Sequence, residues 1–587
     1  MAEQAVLQTG NDRILMRQFS RYAWMSALTV ATGNICAIVD GIVVAKLLDS
    51  TAIAIQNVGR SVDLFAAAMS FLLAGGGALL YANLIGGKKT EEASKSFTVS
   101  MTAALVFGLV ITAAGSLFLR QIVNMLCPGM VLGEERLMRY FGAMLLLFPI
   151  QVIVESIMKF FPIAGDPKEC TFLSAATCIL NLVFDVIFIR VFGMDVEGAV
   201  YGTITAYVLQ FAAAAVMLRS GRVGLRFCKV RLKDFAMLGR IMKAGLCNTS
   251  NQFALSIRNT VCASTAVLLG GASAAVTMSV CNQVYIVFCI VLETFVDMVP
   301  AMLAMLRGQN DSKGIRKLET MSYLIISGIA VLLSVVTEAF PDKIGMLFNI
   351  NDADTMNTLV LGLRIFTLHI AVRFLYILFA TYVNAYGKAW YATAINLADS
   401  VIVFIGVKTV MTGAFGLNGL WLTFPVNSVL ILLCVLTINL ILLKKRNSPY
   451  NDIMLTEKED PNLIVLRQTF GQDSVSIDEA SENIRSFCVE HGVPNPAAIF
   501  SELAAEEMGV YTKAHSKEGE IMDVIVRLDD RHLSLDFKSI GKPFNPLAVT
   551  DADEPQNVKL LNSVADKIEY SYAFGINSTR VTVARNA

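Results

Sequence analysis

Residues 35–48 read ICAIVDGIVVAKLL, an apolar run with a single acid, Asp40, inside it. A charge near the centre of a membrane helix costs roughly 2.5–3.5 kcal/mol even on the most lenient insertion scale. An acid kept at that cost marks a place where an ion or a proton is handled, provided the run spans a bilayer. The rest of the chain decides whether it does.

The chain has 587 residues, of which 55% are hydrophobic and only 16% charged. Soluble domains carry about 25% charge, so the composition is that of a membrane protein. The formal net charge is zero, which gives no reason to expect a nucleic-acid partner. Eleven cysteines are scattered mostly through apolar runs, without C-x-x-C or other metal-ligand spacing, and read as small hydrophobes in helix packing. No metal site is expected.

Apolar segments of about 20 residues, the length needed to cross a bilayer, recur near 22–46, 61–84, 96–119, 138–162, 170–190, 198–218, 244–269, 275–305, 318–340, 358–385, 390–411 and 417–443. Twelve is even, so both ends lie on one side. Basic clusters fall in alternate loops: GGKKTEEASKS (86–96), RSGRVGLRFCKVRLK (219–233), RGQNDSKGIRK (307–317) and LKKRN (443–447). Lysine and arginine accumulate in cytoplasmic loops, which predicts cytoplasmic termini and a multi-pass protein of the plasma or inner membrane, in contact with membrane lipid. The 120–139 loop, with Arg120, Arg136 and Arg139, runs against this pattern.

The two halves echo each other at an offset of roughly 220 residues. KLLDSTAIA (46–54) answers VLLGGASAA (267–275), NLVFDVIF (181–188) answers NLADSVIVF (396–404), and VFGMDVEGA (191–199) answers AFGLNGLWL (414–422). Such internal repeats are a transporter architecture, with a site between two lobes exposed alternately to either side. The expected units are an N-lobe over 1–230, a C-lobe over 231–447 and a separate tail domain over 455–587, where polarity becomes that of a soluble protein.

VDGIVVAKLLDSTAIAIQNVG (39–59), LLAGGGALLYANLIGGKKTEEASKSF (72–97) and the run from AGDPKEC to AYVLQ (164–210) closely resemble the multidrug and toxic compound extrusion (MATE) family. The resemblance covers about residues 15–445. It implies an α-helical polytopic protein with two six-helix lobes, acting as a secondary antiporter driven by H⁺ or Na⁺ in multidrug efflux. On this reading the chain is a carrier of small organic molecules and not an enzyme.

Asp40 matches the family's acid in the first span, and Asn181 with Asp185 match its fifth-span pair. Asn181 and Asp185 are i and i+4, so one helix face presents an amide and a carboxylate to the same cation or proton. Glu155 and Lys159, also i and i+4 with the acid first, read as an ion pair within one helix. In the second half Glu293 and Asp297 are like charges on one helix face, a second-lobe charge site in which one acid holds a proton unless Arg258 or Arg373 neutralises the pair; Arg258 is expected against Glu293. Asp399 is the near-counterpart of Asp185, but stands three residues from Asn396 instead of four.

In the tail the pattern predicts helices at 476–491 and 495–515, strands at 521–528, 532–538, 567–574 and 579–584, and a short helix at 556–566. SELAAEEMGVYTKAH (501–515), IGKPFNPL (540–547) and ADKIEYSYAFGINSTRVTV (565–583) resemble the histidine-kinase-like α+β ATPase fold of anti-sigma-factor kinases. Glu507, Gly541, Gly575 and Asn577 match that fold's nucleotide motif. Tyr511 stands where the resemblance would place the Mg²⁺-binding Asn, and Ser539 and Ile540 where it would place the adenine-reading Asp. The expectation is a retained fold that has lost ATP binding, needs no cofactor, and serves as an accessory module or as a dock for a cytoplasmic protein partner. Two other readings of the whole chain are a membrane-anchored sensor that signals through the tail, and a flippase for lipid-linked precursors.

Overall fold

The structure is a computed structural model. It describes residues 11–584 except 49, 127–133, 166, 222, 349, 351, 446–447, 459–462, 472, 516–520, 530, 548–560 and 562–564, and without the side chains of 11–13, 34–35, 37–42, 45, 50–51, 53–54, 57–58, 60–61, 125–126, 272 and 297. Asp40 and Asp297 therefore lie outside the described side chains.

Long helices build the first two-thirds of the chain. In the first half they are α1 (Asn11–Leu47), α2 (50–86), α3 (Thr90–Leu117), α4 (Glu134–Ala164), α5 (Pro167–Val191) and α6 (Glu197–Arg219). In the second they are α7 (237–271), α8 (Ser273–Gly308), α9 (Ser312–Ala339), α10 (Ala353–Ala385), α11 (389–415) and α12 (417–444). Among the described residues 10 helices are long and apolar enough to cross a membrane, with α11 and α12 taken as one continuous span. The chain is a multi-pass membrane protein. Within that last stretch Gly416 (φ 56°, ψ −131°) breaks the helical path. Gly193, at the corresponding connection between α5 and α6, also has positive φ (66°). The repeated "FG" of the sequence echo is thus a repeated turn that only a residue without Cβ adopts at little cost.

The halves meet along α2, α7 and α8. A Cβ on Gly86 would overlap the Met305 carbonyl oxygen, and one on Gly308 would overlap that of Asn83. Asn83 Nδ2 also donates to the Ala304 carbonyl at 3.1 Å. Small residues that let backbones touch are the usual means of joining helices where lipid removes the hydrophobic drive. These contacts cluster at the ends of α2 and α8 nearest the tail.

The tail is an antiparallel five-stranded sheet in the order β1-β2-β3-β5-β4, with β1 Ile464–Gly471, β2 Ile521–Leu528, β3 His532–Ile540, β4 Lys567–Ala573 and β5 Ile576–Ala584. Helices α13 (Ser474–Glu490) and α14 (Asn495–His515) cover one face. That face has its own core, in which Ile484, Ala504 and Met508 pack on Val524, Leu535 and Val581. β1 was not expected from the sequence, because Arg467, Gln468 and Thr469 interrupt its apolar character. The short helix expected at 556–566 falls mostly outside the described residues.

The opposite face of the sheet is polar yet buried. Arg527, Asp536 and Lys538 are each less than 9% exposed, because this face lies against the ends of the membrane helices. Lys88 (between α2 and α3), Ile163 and Gly165 (at the end of α4), Gln309 and Asp311 (between α8 and α9) and Lys388 (between α10 and α11) all sit at that end, where the tail or the segment leading to it meets them.

Candidate functional site

A cavity of about 790 Å³ runs through the first half and along its junction with the second. Its walls come from α1, α2, α4, α5 and α6, with Asn248, Met298 and Asn384 contributed by the other lobe. Pro162 and Pro300 both line it and both lie inside helices. A proline there removes one backbone hydrogen bond and bends its helix, which helps the walls part around a void.

The fifth-span pair sits where α5 passes this cavity. Asn181 lines it, and its Nδ2 donates to Asp185 Oδ1 at 3.2 Å and to Thr203 Oγ1 at 3.0 Å. The same-face geometry expected from the i, i+4 spacing is present. The amide turns its nitrogen toward the carboxylate, while its oxygen accepts from the Cys36 thiol at 3.5 Å. Asp185 is fully buried, and Gly202 of α6 packs so closely that a Cβ there would overlap Asp185 Oδ1. A π-helical turn, Ile187–Val191, follows directly. Such turns insert one residue into a helix and gather at functional sites.

Asp63, Glu155 and Lys159 also line the cavity. Here one expectation fails. Lys159 Nζ lies 3.6 Å from the centroid of the Phe71 ring, and Glu155 Oε1 accepts from Gln151 Nε2 at 3.0 Å. The two do not pair with each other. The aromatic face of α2 draws the ammonium across the cavity wall, and no signal within the α4 sequence announces it.

The second half is built differently. Arg373 Nε reaches Asp399 Oδ2 at 3.1 Å and Arg258 Nη1 reaches the same oxygen at 3.6 Å. Tyr376 and Asn427 donate to Asp399 Oδ1 at 2.5 and 3.1 Å, and Ser400 donates to Oδ2 at 3.1 Å. Arg258, expected against Glu293, pairs with Asp399. Asp399 lies inside another π-helical turn, Ala398–Ile402. His369 packs among the Phe366, Phe424 and Tyr285 rings. Glu293 is half-buried on α8. Among the described residues there is no cluster of His, Cys, Asp and Glu arranged to hold a metal ion.

In the tail the motif residues serve local structure. Asn577 Nδ2 donates to the Lys542 carbonyl at 3.0 Å, and its Oδ1 accepts from Phe544 N at 3.1 Å and Tyr570 Oη at 2.6 Å. It thereby pins the loop that begins at Gly541. The Tyr511 ring packs tilted on His515 and edge-on to Phe544, at 4.4 and 5.7 Å between centroids, and Glu507 is half-buried one helical turn earlier. Gly575 (φ 70°) is pressed toward Gln18 and Tyr22 of α1.

The MatE family profile matches residues 26–187. Solved structures match far more of the chain. An outward-facing multidrug resistance MATE family transporter of the MOP superfamily superposes with a TM-score of 0.66 at 18% identity, covering 74% of this chain and 97% of that one. The fold is that of the MATE transporters. A MOP superfamily transporter from Pyrococcus furiosus gives 0.65 at 17% identity over 72% and 94% of the two chains. A variant of the Vibrio cholerae MATE transporter VcmN gives 0.66 at 16% identity over 76% and 99%. No curated protein matches the sequence. The MATE-like superpositions take in nearly the whole of those transporters and leave about a quarter of this chain over, a remainder comparable in size to the tail.

Proposed function

We propose that the protein is a secondary antiporter that exports small organic compounds by alternating access, coupled to inward flow of H⁺ or Na⁺. What carries this reading is the cavity between MATE-fold lobes with Asn181 at its wall and the buried Asp185 hydrogen-bonded behind it. Counting α1, and α11 and α12 separately, gives twelve crossings, so both ends share the side that holds the basic loops, the cytoplasm. The N-lobe carries the coupling. Asp399, the C-lobe counterpart, already faces two guanidinium groups and three further donors, which leaves it neither net negative charge nor free lone pairs for a cation. Asp185 instead accepts from the Asn181 amide at the cavity wall, on a helix that packs against α1, which carries Asp40.

The cavity's chemistry suits amphipathic substrates of positive charge. Met144, Met158, Phe71 and Tyr207 supply adaptable apolar surface, while the two acids Asp63 and Glu155 outnumber the lining Lys159. The test is transport in proteoliposomes under an imposed pH or Na⁺ gradient, wild type against Asp185→Asn. Gradient-driven uptake of a lipophilic cation that is lost in the variant supports the reading. Equal uptake by both would overturn the assignment of coupling to Asp185.

A further inference from the structure

The cavity wall includes one residue of the tail. Phe574, at the tip of the tail's β4–β5 hairpin, lines it together with Tyr22, Ile163 and Cys170. Its ring packs edge-on against Tyr22 with centroids 5.5 Å apart, and its backbone N–H donates to the Ile163 carbonyl at 2.8 Å. Tyr22 in turn donates to the Gly165 carbonyl at 2.9 Å. The hairpin tip is therefore inserted between α1 and the end of α4.

The turn itself is unusual. Ala573 pairs with Ile576, so the turn has two central residues, Phe574 (φ 51°) and Gly575 (φ 70°). Two-residue turns with both φ positive favour Asn-Gly or Asp-Gly, and a bulky aromatic in the left-handed region is strained by about 1 kcal/mol or more. A phenylalanine held there has its reason outside the hairpin, in the surface it closes.

The tail's hold on the two lobes is unequal. On the C-lobe side, Asp311 caps α9 by accepting from Gly314 N and also pairs with Arg467 and Lys538 at 3.0 Å each. Arg527 donates to the Gln309 carbonyl at 3.0 Å. The connecting segment is tied down there too, by Asn439 to the Ile453 carbonyl at 3.0 Å, by Lys388 to the Leu455 carbonyl at 3.4 Å, and by Arg307 to Glu457 at 3.6 Å. On the N-lobe side the hold includes the Phe574 tip, the start of α1 (Ile14 and Leu15) packed toward β1 and β2, and Lys88, which is buried in the sheet and donates to Ser571 Oγ at 3.0 Å and to the Ser578 carbonyl at 2.7 Å.

We infer that the tail is the cytoplasmic gate of the transport cavity: fixed to the C-lobe, it closes the cavity floor with Phe574 and must lift its hairpin off the N-lobe each time the cavity opens inward. Alternating access in this fold requires the tail-side ends of the lobes to separate, as at Gly86 against Met305. A rigid sheet joined to both cannot follow that movement unless one contact breaks. The N-lobe contact is the one without a covalent tether and without the Asp311 hub.

The gate is testable without assuming transport. In membrane vesicles with the tail outward, a charged, impermeant thiol reagent reaches the cavity cysteines Cys170 and Cys178 only past Phe574, and peptide mass spectrometry reads each site. The full chain should label slowly, and Phe574→Ala and Lys88→Ser should each label at least about tenfold faster with unchanged thermal melts. Equal rates in both variants and the wild type would overturn the gate. A second arm rests on the proposed transport function. Cysteines placed at Lys88 and Ser578 and joined by a short bis-methanethiosulfonate linker, each arm forming a disulfide with loss of sulfinate, should stop uptake, and reduction should restore it. Uptake that continues in the joined protein refutes the lifting step. Absence of uptake in the wild type would instead overturn the transport assignment, leaving the labelling arm to decide the gate.

Discussion

Arg373 Nε and Asp399 Oδ2 stand 3.1 Å apart in the middle of the C-lobe, and Arg258 approaches the same oxygen at 3.6 Å. Two cations on one buried anion make Asp399 the group on which that lobe's electrostatics depends. Removing its charge leaves two guanidinium groups facing each other out of water. Asp399→Asn should therefore cost on the order of 3–5 kcal/mol. Arg258→Met should cost much less, since Arg373 and the neutral donors remain. Thermal melts in detergent check the ranking, and equal losses in the two variants would contradict it.

Asn181 separates the two coupling ions. Asn181→Leu removes a neutral ligand but no titrating group. A proton site on Asp185 and Asp40 should keep part of its gradient-driven uptake, whereas a Na⁺ site should lose nearly all of it. We expect the proton outcome, because the Asn181 nitrogen faces Asp185 while its oxygen is engaged by Cys36. Saturable ²²Na⁺ binding that disappears in the variant would reverse that assignment.

The tail should fold alone and ignore nucleotide. Its apolar core lies between the sheet and α13–α14 and draws nothing from the membrane helices. Tyr511 and Phe544 pack together, and Asn577 is committed to the 541–544 loop. Residues 463–587 should melt cooperatively, with a midpoint unmoved by 1 mM Mg-ATP. A ligand with Kd near 10 µM would stabilise it by about 2.7 kcal/mol at that concentration, a shift of several degrees.

Lys88 makes the gate sensitive to pH. Burial pushes its ammonium down from 10.5 to about 7, against the pull of Asp536 and Glu569 and helped by Arg580 and Lys538. A released Lys88 regains its ordinary value. Between about pH 7 and 10.5 the open form therefore binds more protons than the closed one, and closure tightens as pH rises, by at most about tenfold per unit. Below pH 7 the lysine is charged in both forms and the dependence flattens. Labelling of Cys170 from the tail side should slow between pH 7 and 9 after correction for thiolate reactivity, and Lys88→Gln should abolish the trend. Asp311 contributes no such dependence in this range. Burial alone would raise its carboxyl, but Lys538, Arg467 and Arg527 outweigh that and hold it well below the usual carboxylate range.

Phe574→Asn should act in opposite directions on the two parts. The isolated tail gains up to about 1 kcal/mol, because asparagine accepts the left-handed turn position. The full chain loses the plug and labels faster at Cys170. A tail that is destabilised by the change would show that the Phe574 ring also supports the sheet.

The membrane half was legible because apolar length and a lone amide–acid pair are local properties of the sequence. Each expected span lies within an observed helix to within a few residues, and Asn181 and Asp185 share a face as their spacing requires. The partners of Arg258 and Lys159 were not legible, since each is chosen by a different helix. The gate was hidden for another reason. Alternation of Asp523, Arg527, Asp536 and Lys538 with apolar residues reads as a sheet face turned to water, and Lys88 as one more loop lysine. A polar face buried against polar loops has the same pattern as a wet one.

The strapping of residues 448–458 along the C-lobe sets how strong the N-lobe contact has to be. A tethered module experiences its docking site at an effective concentration of order 1 mM. Contacts that would give a Kd of only about 100 µM between separate molecules then hold the gate shut about ten times in eleven. So small an interface can dominate the resting protein and still come apart on the timescale of a transport cycle. The same tail supplied as a separate polypeptide would leave most molecules ungated.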